Sequence, residues 1–217
     1  MKKAKRPPLW RLLFAVFVLL FGVAIVVTSI IRINNSPNQK FEPAPVITRS
    51  VDEPVEMLPE EAGYVWRGQA NDPKKITISS LGVDALIQNV GIDQNSEIAV
   101  PNNIHIAGWF VDSVRPGDRG LSIIDGHVNG QTNDNGVFKK LPDLKPGDKI
   151  AITFGDDSIV SFEVHSNQSV ATADAATILY SQIPEIEKQL SLITCTGNFD
   201  KTSQTYANRQ ITILKAI

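Results

Sequence analysis

Only one cysteine, Cys195, occurs in the 217 residues, so no disulfide can form within the chain. Such a thiol is either a small buried hydrophobe or a free reactive group. There is no Gly-x-Ser-x-Gly elbow, no His-Glu-x-x-His pair and no phosphate-cradling glycine loop. Serine-hydrolase, zinc-peptidase and nucleotide-binding signatures are therefore missing. Acidic residues are missing from one region: positions 1–32 hold six of the 21 basic side chains and no aspartate or glutamate. The remainder carries 15 basic against 23 acidic residues, a net of −8. That balance argues against nucleic acid as a partner and leaves no polybasic lipid-binding face.

What is present begins with an apolar run. Residues 12–31 (LLFAVFVLLFGVAIVVTSII) carry no charge over 20 positions, which as a helix spans about 30 Å, the hydrocarbon thickness of a bilayer. Lys2, Lys3, Lys5, Arg6 and Arg11 precede it, and only Arg32 and Lys40 follow closely. The basic flank, residues 1–11, is expected to stay cytoplasmic as a tail, with 12–31 as a single transmembrane anchor and the rest outside the membrane. A cleavable signal peptide would have a shorter apolar core and a small-residue cleavage site, and Ile31-Arg32-Ile33-Asn34-Asn35 offers none. Residues 32–73 read as a stalk: Pro37, Pro43, Pro45, Pro54 and Pro59 lie among scattered acidic residues. Sequence of that kind buries little surface and is expected to run as an extended spacer.

Residues 74–217 read as one mainly β domain of ordinary size. Short β-branched runs recur at Ile76–Ile78, Ala85–Ile87, Ile98–Val100, Leu121–Ile124, Lys149–Phe154, Ser158–Val164, Ser191–Thr194 and Gln210–Leu214. Turn chemistry separates them at Leu81-Gly82-Val83-Asp84, Pro116-Gly117-Asp118, Pro146-Gly147-Asp148 and Gly155-Asp156-Asp157. Eight short strands at this spacing predict a closed barrel or sandwich. Helix signals are confined to Thr172–Tyr180 and Pro184–Leu190, the second with proline in its first turn.

Three residues carry candidate chemistry. Cys195 ends the apolar stretch Leu190-Ser191-Leu192-Ile193-Thr194-Cys195, His127 lies in the turn Asp125-Gly126-His127-Val128, and Arg209 opens the last strand. Taken singly, each has an ordinary reading as packing residue, surface imidazole or solvated strand cap. Together they suffice for thiol-based acyl transfer. A thiolate is a strong nucleophile, an imidazole accepts the thiol's proton and later protonates a leaving amine, and a permanent guanidinium charge stabilises the oxyanion. The order histidine then cysteine is the reverse of papain-like enzymes. His105 and His165 read as packing or surface, and Trp109 and Trp66 as packing.

At these residues the chain resembles the sortases, membrane-anchored cysteine transpeptidases of Gram-positive-type envelopes. The family's Thr-Leu-x-Thr-Cys strand is matched by Ser191-Leu192-Ile193-Thr194-Cys195 except at its first position, its histidine turn by Gly126-His127-Val128, and its essential arginine by Arg209. Further echoes are Ile78-Ser79-Ser80-Leu81-Gly82-Val83, Gly108-Trp109-Phe110, Pro116-Gly117-Asp118-Arg119-Gly120, Val137-Phe138 and Pro146-Gly147-Asp148. The resemblance implies an eight-stranded sortase-type barrel with one or two short helices and a cleft holding Cys195, His127 and Arg209, with Thr194 beside the substrate. It implies cleavage of a secreted protein's C-terminal sorting signal, similar to Leu-Pro-x-Thr-Gly, between threonine and glycine. The acyl group would pass to an amine of a peptidoglycan precursor or a pilin lysine. No cofactor or metal is implied; Asp156, Asp157 and Glu163 are too generic for a calcium site. Asp72-Pro73 is followed by lysine instead of an aromatic residue, and no second apolar segment follows Leu214. Both features point to general anchoring over pilin polymerisation.

Three rival readings remain open on sequence. In a membrane-anchored cysteine peptidase or amidase, water would resolve the same thioacyl intermediate. An L,D-transpeptidase would place its cysteine in a Ser-His-Gly-Cys context, which Ile193-Thr194-Cys195-Thr196 does not provide. A non-catalytic envelope-binding β domain would keep Cys195 buried and unreactive.

Overall fold

The computed structural model describes residues 45–51, 53–132, 134–200 and 205–217. The expected tail, the anchor at 12–31 and the first part of the stalk lie outside the described residues. Among the described residues no helix is long and apolar enough to cross a membrane.

Eight strands run in chain order: β1 (Pro73–Ile78), β2 (Val83–Val90), β3 (Ala107–Phe110), β4 (Gly120–Gly126), β5 (Lys149–Phe154), β6 (Ile159–Ala171), β7 (Lys188–Asp200) and β8 (Thr205–Ala216). They close into a barrel in the order β1-β2-β3-β4-β7-β8-β6-β5. One α-helix, α1 (Thr172–Leu179), joins β6 to β7. The strands form where apolar side chains alternate. In β5, Ile150, Ile152 and Phe154 turn inward while Lys149 faces solvent. The barrel interior is filled from all round by such residues, among them Ile76, Ile78, Ile87, Ile124, Ile152, Phe162, Leu190, Leu192 and Leu214, with Phe138 of the β4–β5 connection packed among them. Each fully buried aliphatic side chain contributes about 1.5–3 kcal/mol. A second cluster lies on the outer face, where Val90, Phe110, Ile123, Ile211 and Ile213 pack with Ala175 and Leu179 of α1 and with Ile186.

Two local expectations change. Ile98–Val100 is no strand; it lies in the connection 91–106, with only an isolated bridge between Ile98 and Ile92. The reason is topological. β2 and β3 pair in parallel, and a parallel pair needs a crossover of about a dozen residues or more. The strand at that position in the barrel is β3, Ala107-Gly108-Trp109-Phe110, all four residues buried. Burial on both faces removes the alternation that would reveal it. The helix read at Pro184–Leu190 is also absent: Lys188 onward is already β7, paired with β4 from Gly120–Lys188. Thr172–Leu179 is helical as expected.

Residues 32–73 are expected to run as an extended spacer, but at two points within that span the chain pairs with the barrel domain. Ile47 forms a parallel bridge with Val90, and Val55 one with Asn103.

Candidate active site

β4 and β7 run parallel, and their last paired residues are Asp125 and Ile193. His127 and Cys195 each lie two positions beyond that pair, at one level of the sheet. Cys195 is in turn the register partner of Arg209 on β8. Since β4, β7 and β8 are successive in the barrel and neighbouring strands are about 4.8 Å apart, the three residues form one row with Cys195 in the middle. Side chains two positions apart share a face. Cys195 and Arg209 therefore continue the outer face of Ile193 and Ile211, beside the cluster capped by α1.

Neither Cys195 nor Arg209 ends a strand, as the sequence suggested. β7 runs on to Asp200, and β8 begins at Thr205. The two form a long antiparallel ribbon whose far end is closed by Phe199 against Tyr206, ring centroids 5.1 Å apart.

Hydrogen bonds fix each member of the row. His127 Nε2 lies 2.7 Å from the Pro101 carbonyl oxygen. A carbonyl only accepts, so Nε2 carries the proton and Nδ1 is the nitrogen left for proton transfer. Arg209 donates through Nη1 to Thr172 Oγ1 (3.1 Å) and to the Tyr206 and Asn208 carbonyls (3.2 Å each), and through Nη2 to Thr205 Oγ1 (3.4 Å). Each of these acceptors is a neutral oxygen, so these bonds fix the guanidinium without neutralising its charge. The Tyr206 hydroxyl donates to Asn129 Oδ1 and ties the ribbon to the histidine loop.

Burial sets the protonation of the pair. It pushes the Cys195 thiol above its ordinary 9.0, opposed by the Arg209 charge and reinforced by Asp125 and Glu97. It pulls the His127 imidazole below 6.5, opposed by the Pro101 hydrogen bond. Both groups are thus biased toward their neutral forms.

The barrel that carries this row has relatives. The sortase-domain family model matches residues 76–216. The chain belongs to the sortase family. Among solved structures, its fold is similar to a lid mutant of sortase A from Corynebacterium diphtheriae, at TM-score 0.51 and 23% identity, covering 70% of this chain and 73% of that one. A Clostridium perfringens sortase D5 transpeptidase aligns at TM-score 0.50 and 26% identity over 73% of this chain and 85% of that one. The pilus-related sortase C of Group B Streptococcus aligns at TM-score 0.51 and 19% identity, over 85% and 83%. Among curated proteins, none matches. The eight-stranded barrel with one helix is thus the sortase fold.

Two further residues of this sortase-family site differ from their sequence reading. Thr194, expected beside the substrate, is 3% exposed, and its hydroxyl donates to the Gly126 carbonyl at 2.7 Å. It lies on the inward face of β7, opposite to Cys195, where it ties that strand to the residue preceding His127. Asp125, read as part of a polar turn, is the penultimate residue of β4 and 6% exposed. Its Oδ1 lies over Gly108, where a Cβ would come within 2.2 Å, and finds no hydrogen-bond partner among the described residues. Nothing local in the sequence marked it, because a pairing with Gly108 seventeen residues earlier creates the burial.

Burial holds the Asp125 carboxyl well above its ordinary 3.8. The fold therefore favours the neutral acid. Stability is full below the ordinary carboxylate value and is lost as pH rises through the raised one. Asp125→Asn keeps the shape and removes the titration. It should raise Tm at pH 7–8 by about 2 °C or more, with the gap closing toward pH 4. Equal melting of both proteins across that range would contradict a buried neutral carboxyl.

Proposed function

We propose that this sortase-family chain is a cysteine transpeptidase that cleaves a C-terminal sorting signal of the Leu-Pro-x-Thr-Gly kind between threonine and glycine. The observation that carries the reading is the row His127–Cys195–Arg209 across β4, β7 and β8. The thiol proton of Cys195 passes to Nδ1 of His127, and Sγ bonds to the threonine carbonyl carbon. The resulting oxyanion lies on the Arg209 side, where a fixed guanidinium stabilises it. As the C–N bond breaks, imidazolium His127 delivers the proton to the departing glycine amine. A thioester on Cys195 remains. An incoming amine attacks it, gives its proton to His127, and displaces the thiolate, which regains a proton from His127 as the new amide forms.

Support for transfer in place of simple hydrolysis comes from the Clostridium perfringens relative, which is named as a transpeptidase. The apolar outer face beside Cys195, with Val170, Ile178, Ile183 and Ile193 partly covered, suits the leucine and proline of a sorting signal. The substrates would be secreted proteins bearing that signal. The acceptor would be an amine of a peptidoglycan precursor or a pilin lysine, with general anchoring favoured over polymerisation. Residues 12–31 would hold the enzyme in the cell membrane as a single pass, with the barrel outside. The test is product analysis on a Leu-Pro-x-Thr-Gly peptide library with added glycine or lysine amines. Amine-capped product ending at threonine supports the reading, whereas water-capped product alone would make the chain a hydrolase.

The pH profile follows from the two shifts. Thiol plus neutral imidazole, and thiolate plus imidazolium, both hold one proton on the pair, so activity persists while that total is kept. Transfer should therefore follow a broad bell. Its acid limb should lie below 6.5 and its alkaline limb above 9.0, the ordinary values of the two groups. A narrow optimum with both limbs between 6.5 and 9.0, measured as kcat/KM on a peptide substrate, would contradict the burial-driven shifts.

A further inference from the structure

We propose that residues 47–51 and 53–57 form a brace that positions His127, with Glu56 as its positioning residue. The inference rests on the catalytic reading of His127 and begins from what holds that side chain. Its ring is bound by the Pro101 carbonyl, 26 residues earlier, and its own carbonyl accepts from Phe138 N at 3.0 Å. The histidine is thus placed by two loops, 91–106 and the described residues of 128–138. The described stretch ahead of the barrel is fastened to both.

The first loop is held on either side of Pro101. Val100 N donates to Ser50 Oγ at 3.3 Å, and Ser50 Oγ donates to Asp93 Oδ2 at 2.9 Å. Beyond the proline, Val55 N donates to the Asn102 carbonyl at 2.7 Å, and Ile104 N to the Val55 carbonyl at 3.0 Å. Asn103 Nδ2 adds a bond to the Met57 carbonyl at 2.9 Å. Ile47 N donates to the Asn89 carbonyl and Gly91 N to the Ile47 carbonyl, at 2.9 and 2.8 Å, which fixes the start of the same loop. The carbonyl that orients the imidazole therefore sits between two residues whose amide or carbonyl is bound to the arm.

The second loop is held by the next residue along the arm. Glu56 Oε1 accepts from Thr132 N at 3.0 Å, and Oε2 from the Thr132 hydroxyl. The carboxylate lies against Gly130 so closely that a Cβ there would come within 2.1 Å of Oε1. Only glycine allows that approach. The Glu56 carbonyl meanwhile lies 2.9 Å from His105 Nε2. The Thr132 hydroxyl and amide, helped by the nearby His105, hold the Glu56 carboxyl below the ordinary range. The clamp is thus closed at neutral pH. Adjacent residues Val55 and Glu56 grip the two loops that meet at His127. A displacement of about 1 Å in a catalytic group is enough to cost up to about a hundredfold in rate.

The experiment compares the full chain with Glu56→Ala, Glu56→Gln and Ser50→Ala, using the exposed neighbour Glu53→Ala as control. It records peptide transfer kinetics together with NMR titration of the His127 ring. Glu56→Ala should lower kcat roughly ten- to a hundredfold, with KM held within about twofold because the apolar outer face beside Cys195 is untouched. Glu56→Gln, which keeps one acceptor oxygen for Thr132 N, should recover part of kcat, and Ser50→Ala should lose less than Glu56→Ala. The titration of His127 should move up toward that of a free imidazole in Glu56→Ala, since loosening the loops relieves the burial that depresses it, and should stay put in Glu53→Ala. A titration that does not move, moves down, or moves equally in the control overturns the brace. So does a rise in KM without loss of kcat. If the parent chain transfers no peptide, the catalytic reading fails by itself and the titration still decides whether the arm positions His127.

Discussion

Cys195→Ala should give a folded barrel that transfers no peptide, with the rate reduced on the order of 10^4-fold or more, the scale of removing a covalent nucleophile. The loss would be chemical and not structural. Cys195 is only partly covered on the outer face of β7, and its partners across the sheet are main-chain groups that alanine retains. Tm should therefore change by no more than a few degrees. Cys195→Ser is the sharper variant, because it keeps the size and hydrogen-bonding capacity of the side chain but replaces a thiol by a far less acidic hydroxyl. It should be almost as inactive. The measurement is single-turnover cleavage of a sorting peptide, with thermal melting alongside. Activity within tenfold of the parent in either variant would remove Cys195 from the reaction. The half-buried position of Cys195 also bears on the binding-module reading, which needs an inert thiol. An alkylating reagent should label the native protein once, at Cys195, and stop transfer in proportion.

The second large effect is at Arg209. Arg209→Ala should lower kcat about 10²–10³-fold, the range for losing one preorganised oxyanion donor. Arg209→Lys is the informative companion. Four hydrogen bonds to neutral oxygens of Thr172, Tyr206, Asn208 and Thr205 hold a planar fork, and an ammonium cannot occupy that fork. Lysine keeps the charge and loses the aim, so it should restore only a small part of the rate. If charge alone mattered, Arg209→Lys would recover nearly all of it. Because Arg209 also opposes the burial-driven rise of the thiol, removing the guanidinium should move the alkaline limb of the pH profile further up. A rate loss in Arg209→Ala with an unchanged alkaline limb would place Arg209 on the substrate and not near the thiol.

The barrel was legible where side chains alternate and turns are chemically marked. β5 shows this best, with Ile150, Ile152 and Phe154 inward between Pro-Gly-Asp and Gly-Asp-Asp turns. β3 was not, since a four-residue strand buried on both sides carries no period. The candidate triad could be named from residue types and their neighbours, but not its geometry. That Cys195 and Arg209 face each other depends on the register of a ribbon whose strands continue well past both. The residues that hold the row were out of reach. Pro101, Asn129 and Tyr206 have no motif, and their contacts join positions 26 and 77 apart. The arm was hidden for a different reason. Its proline content and weak hydrophobicity are those of a spacer, and what binds it is a set of main-chain hydrogen bonds together with the side chains of Ser50, Asn103 and Glu56, which composition does not record.

The most direct test of a Cys195-centred acyl transfer is the intact mass of the protein, quenched in acid within the first turnovers on a Leu-Pro-x-Thr-Gly peptide. An adduct equal to the peptide up to threonine should form, localised to Cys195, discharged by added amine to an amine-capped product, and absent from Cys195→Ala. A folded, alkylatable protein that forms no such adduct with any peptide of the library, or one that carries it on another residue, would contradict it.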